Sequence, residues 1–213
     1  MNNSIKGYRW DEIETSSEEV GIYSWYLCPE IRESDVVDAD RTKQSLLRIA
    51  RQVKFPDMTI AARGHLSLSL SGDLHHDCLG SAENDEISKL VDEVINKEET
   101  RSLFTAILKG AMPCYMSPLY IGVTSNIRKR LTEHKDNILR LRRLTNSYDL
   151  NLKEHYSQKF ALEIVSRGIP NSSLIAFTQS LPKDLVATDL ARKSIEAVET
   201  VLNRMFFPVL GRR

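Results

Sequence analysis

The sequence predicts an α+β fold: a small central sheet of three strands flanked by helices, with a helix-and-hairpin insert between the first two strands. Three observations carry this. The segments GIYSWYL (from Gly21), SPLYIGVT (from Ser117) and SLIAFT (from Ser173) are dense in β-branched and aromatic residues. The longer segments around them repeat apolar residues at helical spacing. Finally, 213 residues at 41% hydrophobic and 27% charged suffice for one real core and exclude a disordered or fibrous chain.

The elements follow in order. Gly21–Leu27 is the first strand, and Pro29 closes it. Residues 36–54 set Leu46, Ile49 and Val53 at helical spacing, and Pro56 stops that helix. MTIAA, a turn at Arg63-Gly64 and HLSLSLSG read as a hairpin. Its Leu66, Leu68 and Leu70 alternate with Ser67, Ser69 and Ser71, one face buried and one wet. After the polar linker SAENDE, Asn84 stands where a cap belongs. The next helix carries Ile87, Leu90, Val91, Val94 and Ile95, and continues or restarts through Leu103, Phe104, Ile107 and Leu108 to stop at Gly110. Ser117–Thr124 is the second strand, with Ser125 or Asn126 as N-cap of a helix whose apolar side is Ile127, Leu131, Ile138 and Leu141. Asn146-Ser147 breaks it, and residues 151–165 are weakly helical. Ser173–Thr178 is the third strand. A last helix spans about Asp184 to Phe206, with Ile195, Val198, Leu202 and Met205 as its core face and Pro208 at its end.

Composition narrows the function classes. No apolar run approaches the ~20 residues that span a bilayer, so no membrane partner is expected. The start, MNNSIKGYRWDEIE, lacks a basic-then-apolar signal segment. Cys28, Cys78 and Cys114 do not make a disulfide framework. The expectation is a reduced, cytoplasmic protein. His75-His76-Asp77-Cys78 has no second ligand pair at zinc spacing and reads as a turn. The net charge is zero, yet residues 1–100 hold 11 Lys+Arg against 20 Asp+Glu and residues 101–213 hold 18 against 9. The balance therefore swings from −9 to +9 between the two parts. The densest basic run holds Arg128, Lys129, Arg130, Lys135, Arg140, Arg142 and Arg143 against Glu133 and Asp136. It is either a solvated helix face or, the sharper reading, a phosphate-binding face.

Two strands carry related motifs, Gly21-Ile22-Tyr23 and Tyr120-Ile121-Gly122. Arg130 follows Tyr120 by ten residues, His134 lies one turn further on the same helix face, and Glu199 stands nine residues before Pro208. With these spacings, in this order of elements, the chain resembles the GIY-YIG nuclease family. The resemblance covers residues 1–28 and 115–213 as a nuclease core, about 60% of the chain. It leaves out the insert 29–114: the family joins its two motifs by a short connection, whereas 96 residues separate Tyr23 from Tyr120 here. Where the family has an asparagine about twelve residues after the glutamate, this chain has Gly211.

The resemblance implies an antiparallel three-stranded sheet and a metal-dependent endonuclease that hydrolyses phosphodiester bonds in DNA, of restriction, phage-defence or selfish-element type. Its catalytic residues would be Tyr23, Tyr120, Arg130, His134 and Glu199. Glu199 suits Mg²⁺ (or Mn²⁺), a hard ion that takes oxygen ligands and keeps several waters. Arg130 offers a planar fork that matches phosphate. Tyr23, with Tyr120 beside it, would be the base or the water-positioning group. As a base it needs cations, Arg130 among them, to bring its pKa down from about 10. His134 would relay a proton or bind phosphate. Arg128, Lys129, Lys135, Arg140, Arg142 and Arg143 would meet the nucleic acid. The basic helix has no aromatic residue, which leans toward duplex DNA. The alternatives are a decayed module that binds nucleic acid or a protein, or a nuclease acting on single-stranded DNA or RNA. The acidic insert suits a homodimer contact, a protein partner or a gate over the site, and Arg63 within it could still read bases.

Overall fold

The computed structural model describes residues 5–53, 58–63, 69–74, 85–145, 158–181, 189–206 and 208–210. The chain folds as two units, residues 1–30 with 112–213, and residues 31–111.

In the first unit, strand β2 (Gly21–Leu27) alternates buried and half-buried residues along its whole length, because successive side chains point to opposite faces. Tyr23, Trp25 and Leu27 are buried on one face. Antiparallel neighbours flank it, β5 (Tyr120–Thr124) on one side and β6 (Leu174–Ser180) on the other. Beyond β6 lies β1 (Lys6–Arg9), so the antiparallel sheet has four strands in the order β1-β6-β2-β5 rather than the three expected. The sequence KGYR has no apolar alternation to announce a strand. It pairs because β6 offers an open edge, and because Gly7 leaves room for the Phe177 ring directly opposite.

Helix α4 (Ile127–Thr145) packs against the 3-10 turn Ile13–Thr15 and against α5 (Lys159–Ser166). Of the weakly helical 151–165, residues 151–157 lie outside the described residues and residues 159–165 belong to α5; Ser173 belongs to the 3-10 turn before β6. The last helix, α6 (Asp189–Phe206 as described), packs on β5. Of its expected core face, the Ile195 side chain lies outside the described residues and only Leu202 is turned partly inward. Val198 and Met205 are 41% and 65% exposed, while Glu199, Leu202 and Asn203 are half-buried. Val209 and Leu210 are buried instead, their amides bonded to Pro118 O and Leu119 O. Periodicity identifies a helix with an apolar stripe, but which sector turns inward depends on what else fills the space.

The second unit contains α1 (Ala39–Val53), the two-stranded β3 (Met58–Arg63) and β4 (Ser69–Leu74), and α2 (Asp85–Asn96) packed on α1. Helix α3 (Glu98–Tyr115) starts here and ends in the first unit. Arg63 pairs with Ser69 as the last residue of β3 rather than standing in the turn. Buried Arg101 donates to the carbonyls of Ile95, Val36 and Val37 at 2.8, 2.9 and 3.1 Å, so its charge is met by backbone dipoles. Gly110 does not end a helix; α3 runs through it. A lone interior glycine weakens a helix without breaking it, and nothing lies within 4 Å of the Cβ it lacks. Gly110→Ala is therefore expected to stabilise the chain by ~0.5–1 kcal/mol in urea unfolding. An unchanged midpoint would count against helical continuity there.

Pro56, Leu66, Leu68, the His75–Cys78 run, Asn84, Asn146-Ser147 and Gly211 lie outside the described residues. Among the described residues no helix is long and apolar enough to cross a membrane.

Candidate active site

The site begins with how α4 is anchored. Ile127 N–H donates to Glu19 O (3.0 Å), Arg128 N–H to Ser17 O (2.8 Å) and Lys129 N–H to Asn126 Oδ1 (2.9 Å). With Asn126 N–H donating to Thr124 Oγ1 (3.2 Å), all four amides that a helix start leaves open are satisfied, with Asn126 as N-cap. This anchoring sets the rotation of the helix. Ile127, Leu131, Ile138 and Leu141 are fully buried as expected, and His134 sits in the same row at 6% exposure. Arg130, one turn before His134, lies at the edge of that row with its side chain 40% exposed.

Four of the five expected catalytic residues meet around the hydroxyl of Tyr23. His134 Nε2 is 3.0 Å from that oxygen, and Arg130 Nε donates to it at 3.3 Å. The ring of half-buried Tyr120 stacks on Tyr23, centroids 6.0 Å apart and 26° between planes. Four aromatic rings surround His134: Phe160, Tyr120, Tyr23 and Trp25, at 5.0, 5.5, 5.6 and 6.3 Å between centroids. Burial in this cage, with the Arg130 charge added, brings the His134 pKa down to about 3. The imidazole is therefore neutral at ordinary pH, and its Nε2 shares a hydrogen bond with the Tyr23 hydroxyl, the tautomer setting which of the two donates.

The expected lowering of Tyr23 by Arg130 is outweighed. Burial pushes the phenol above its ordinary range and Tyr120 adds to this, while Arg130 pulls the other way with less effect. Tyr23 is thus protonated across the physiological range. For Arg130, burial works against the charge, but the contacts to Tyr23 and Glu133 more than offset it.

Gly122 lies directly opposite Tyr23 in the β2–β5 register. A Cβ there would stand 2.6 Å from Tyr23 Oη, 2.7 Å from its Cζ and 2.9 Å from Tyr120 Cε1. The Gly-for-side-chain exchange is what lets the two tyrosines stack on β5.

Glu199 sits on the inward sector of α6, half-buried, on the helix that packs against the Tyr120 strand. Its carbonyl accepts from Asn203 Nδ2 at 2.9 Å. Among the described residues no three His, Cys, Asp or Glu side chains form a metal cage. A single carboxylate fits Mg²⁺, which can take its other ligands from phosphate and water.

Besides Arg130, the six basic residues of α4 divide into two groups. Arg128 donates to Ser16 O (2.7 Å) and pairs with Glu18 (2.6 Å). Lys135 pairs with Glu14 at 2.8 Å and lies 5.9 Å from the Trp10 ring centroid. Arg142 donates to Ile169 O. Spaced by seven, these three share one flank and tie the helix to the rest of the unit. Lys129, Arg140 and Arg143 are exposed. At about 100° per residue they fall within an arc of ~60°, over ~21 Å of helix.

Phe160, Trp25 and Glu133 were not expected at the site. Phe160 comes from a helix with a weak signal, and Trp25 reads simply as core. Glu133 was visible only as a charge among charges. A search of protein-family models, curated proteins and solved structures finds nothing that matches the chain.

Proposed function

We propose that this protein is a metal-dependent endonuclease that hydrolyses phosphodiester bonds in duplex DNA. The observation that carries the reading is the meeting, on one phenol oxygen, of an arginine and a neutral histidine from a basic helix. The second tyrosine stacks beside them at the half-exposed side of the cluster. Phosphodiester hydrolysis needs an oriented water and fixed positive charge for the extra anionic charge at phosphorus. Arg130 supplies the charge in a planar fork, its Nε held by Tyr23. Tyr23 keeps its proton, which favours the water-positioning role over that of a resting base. His134, neutral, shares a hydrogen bond with the Tyr23 hydroxyl and fixes its orientation. Tyr120 faces the incoming substrate. Glu199 would hold Mg²⁺ or Mn²⁺, which when bound would supply Lewis-acid stabilisation of the leaving oxygen. Lys129, Arg140 and Arg143 would meet backbone phosphates.

The test is conversion of supercoiled plasmid to nicked and linear forms in Mg²⁺, Mn²⁺ and EDTA. Cutting should need the metal and be lost in Glu199→Ala. Tyr23→Phe should lose turnover far more than binding. Cutting retained by both variants would overturn the assignment. Binding to every nucleic acid tried without turnover would replace it with a non-catalytic binding module. Salt dependence separates the two basic groups. Each of Lys129→Gln, Arg140→Gln and Arg143→Gln should flatten the log Kd against log salt slope by about 0.9. Arg128→Gln and Lys135→Gln should leave that slope alone.

A further inference from the structure

The guanidinium of Arg130 is more committed than a phosphate-binding group needs to be. Nε donates to Tyr23, which removes one of its edges from a bidentate phosphate contact. The other edge carries Nη1 and Nη2, and Nη1 donates to Glu133 Oε2 at 2.9 Å. Among the described residues, only Nη2 has no partner. Both side chains are accessible, Arg130 40% and Glu133 43% exposed, so this bridge is open to competition from a solvent-borne anion. An i,i+3 pair with this exposure adds little to stability. Glu133 also borders an open depression of about 290 Å³, so the carboxylate has solvent to move into when displaced.

We propose that Glu133 is a specificity-determining residue that competes with the substrate phosphate for Arg130. This rests on the nuclease reading and deepens it. A phosphate reaching the Nη1–Nη2 edge must displace the carboxylate or bind beside it. Two unit charges at about 4 Å in water repel by ~1 kcal/mol, a factor of about five in affinity. Isolated phosphates therefore bind weakly. A duplex that also engages Lys129, Arg140 and Arg143 meets the displacement cost with its other contacts. The device favours long polyanions over short phosphate-bearing ligands at the same arginine.

Glu133→Gln tests this, since the amide oxygen still accepts from Nη1 while the charge is gone. In EDTA, fluorescence anisotropy would read binding of a short labelled duplex and of a single phosphodiester dinucleotide used as competitor. The variant should bind the dinucleotide about fivefold tighter and the duplex less than twofold tighter. In Mg²⁺, KM on plasmid should fall or hold with kcat unchanged. Equal affinities for wild type and variant, with wild-type cutting intact, would overturn the role of Glu133 and leave the nuclease reading standing. Loss of kcat without a change in binding would overturn it in favour of positioning or metal ligation. Failure of wild type to bind or cut any nucleic acid would overturn the nuclease reading and this inference together.

Discussion

On the endonuclease reading proposed above, Gly122→Ala is expected to lower turnover by about a hundredfold in a chain that still folds. A misplacement of ~1 Å in a catalytic constellation costs on this order. The added methyl would sit 2.6 Å from Tyr23 Oη and 2.7 Å from its Cζ, well inside contact distance. The Tyr23 ring must move, and its hydroxyl cannot then keep both the 3.0 Å contact to His134 and the 3.3 Å contact to Arg130. Overpacking of this kind costs ~1–3 kcal/mol of stability, which thermal unfolding would report. Gly21→Ala is the contrast. Its Cβ would meet the backbone oxygen of Gln179 and lie 2.6 Å from Ile127 Cδ1, so the sheet itself must give. Gly21→Ala should lose more stability than Gly122→Ala; Gly122→Ala should lose activity out of proportion to stability. Full plasmid cutting by Gly122→Ala would mean that the Tyr23 hydroxyl is not part of the machinery.

The second large effect is on pH. His134, the one histidine among the described residues, has its pKa brought down to about 3 by the aromatic cage and, secondarily, by Arg130. Its ring resonances should stay fixed from pH 8 to pH 4.5, where an ordinary histidine titrates near 6.5. The sign of the linkage follows. Between the two pKa values the unfolded chain binds a proton that the native state refuses. The stability held by the neutral imidazole is complete above about pH 6.5 and is lost as the pH falls toward 3. The slope approaches ~1.4 kcal/mol per pH unit within that window. Glu14 and Asp35, both with lowered pKa values, contribute only in the carboxylate range and below. Among the described residues, the interval from pH 6.5 to 4.5 therefore isolates His134. Urea unfolding of wild type against His134→Phe should show the slope in the first and not in the second. Equal slopes would mean that the cage does not exclude the charged form. Phe160→Ala, which opens the cage, should move the titration of His134 back toward neutral pH.

Much of this site is legible before folding, because it is local. Arg130 and His134 are four residues apart on a helix whose apolar row is plain, so they share a face whatever the tertiary structure. Asn126 caps that helix by its position and side chain alone. The strand identities of Gly21–Leu27 and Tyr120–Thr124 follow from their residue types. The motif spacings name Tyr23 and Tyr120 as a pair without saying how their rings meet.

The remainder was settled by register and by distant partners. Tyr23 faces Gly122 because β2 and β5, 92 residues apart along the chain between Leu27 and Tyr120, pair in one register; a one-residue slip would turn every side chain to the other face. Phe160 completes the cage because α5 packs on α4. Glu14, Glu18 and the carbonyls of Ser16 and Ile169 take up three of six basic residues that, in the linear sequence, look alike. Val198 and Met205 turn outward while the Glu199 sector turns in. Periodicity and capping are properties of a few neighbouring residues, so a sequence carries them whole. Which charge meets which, and whether a phenol is desolvated, depends on atoms brought together only when the chain closes on itself.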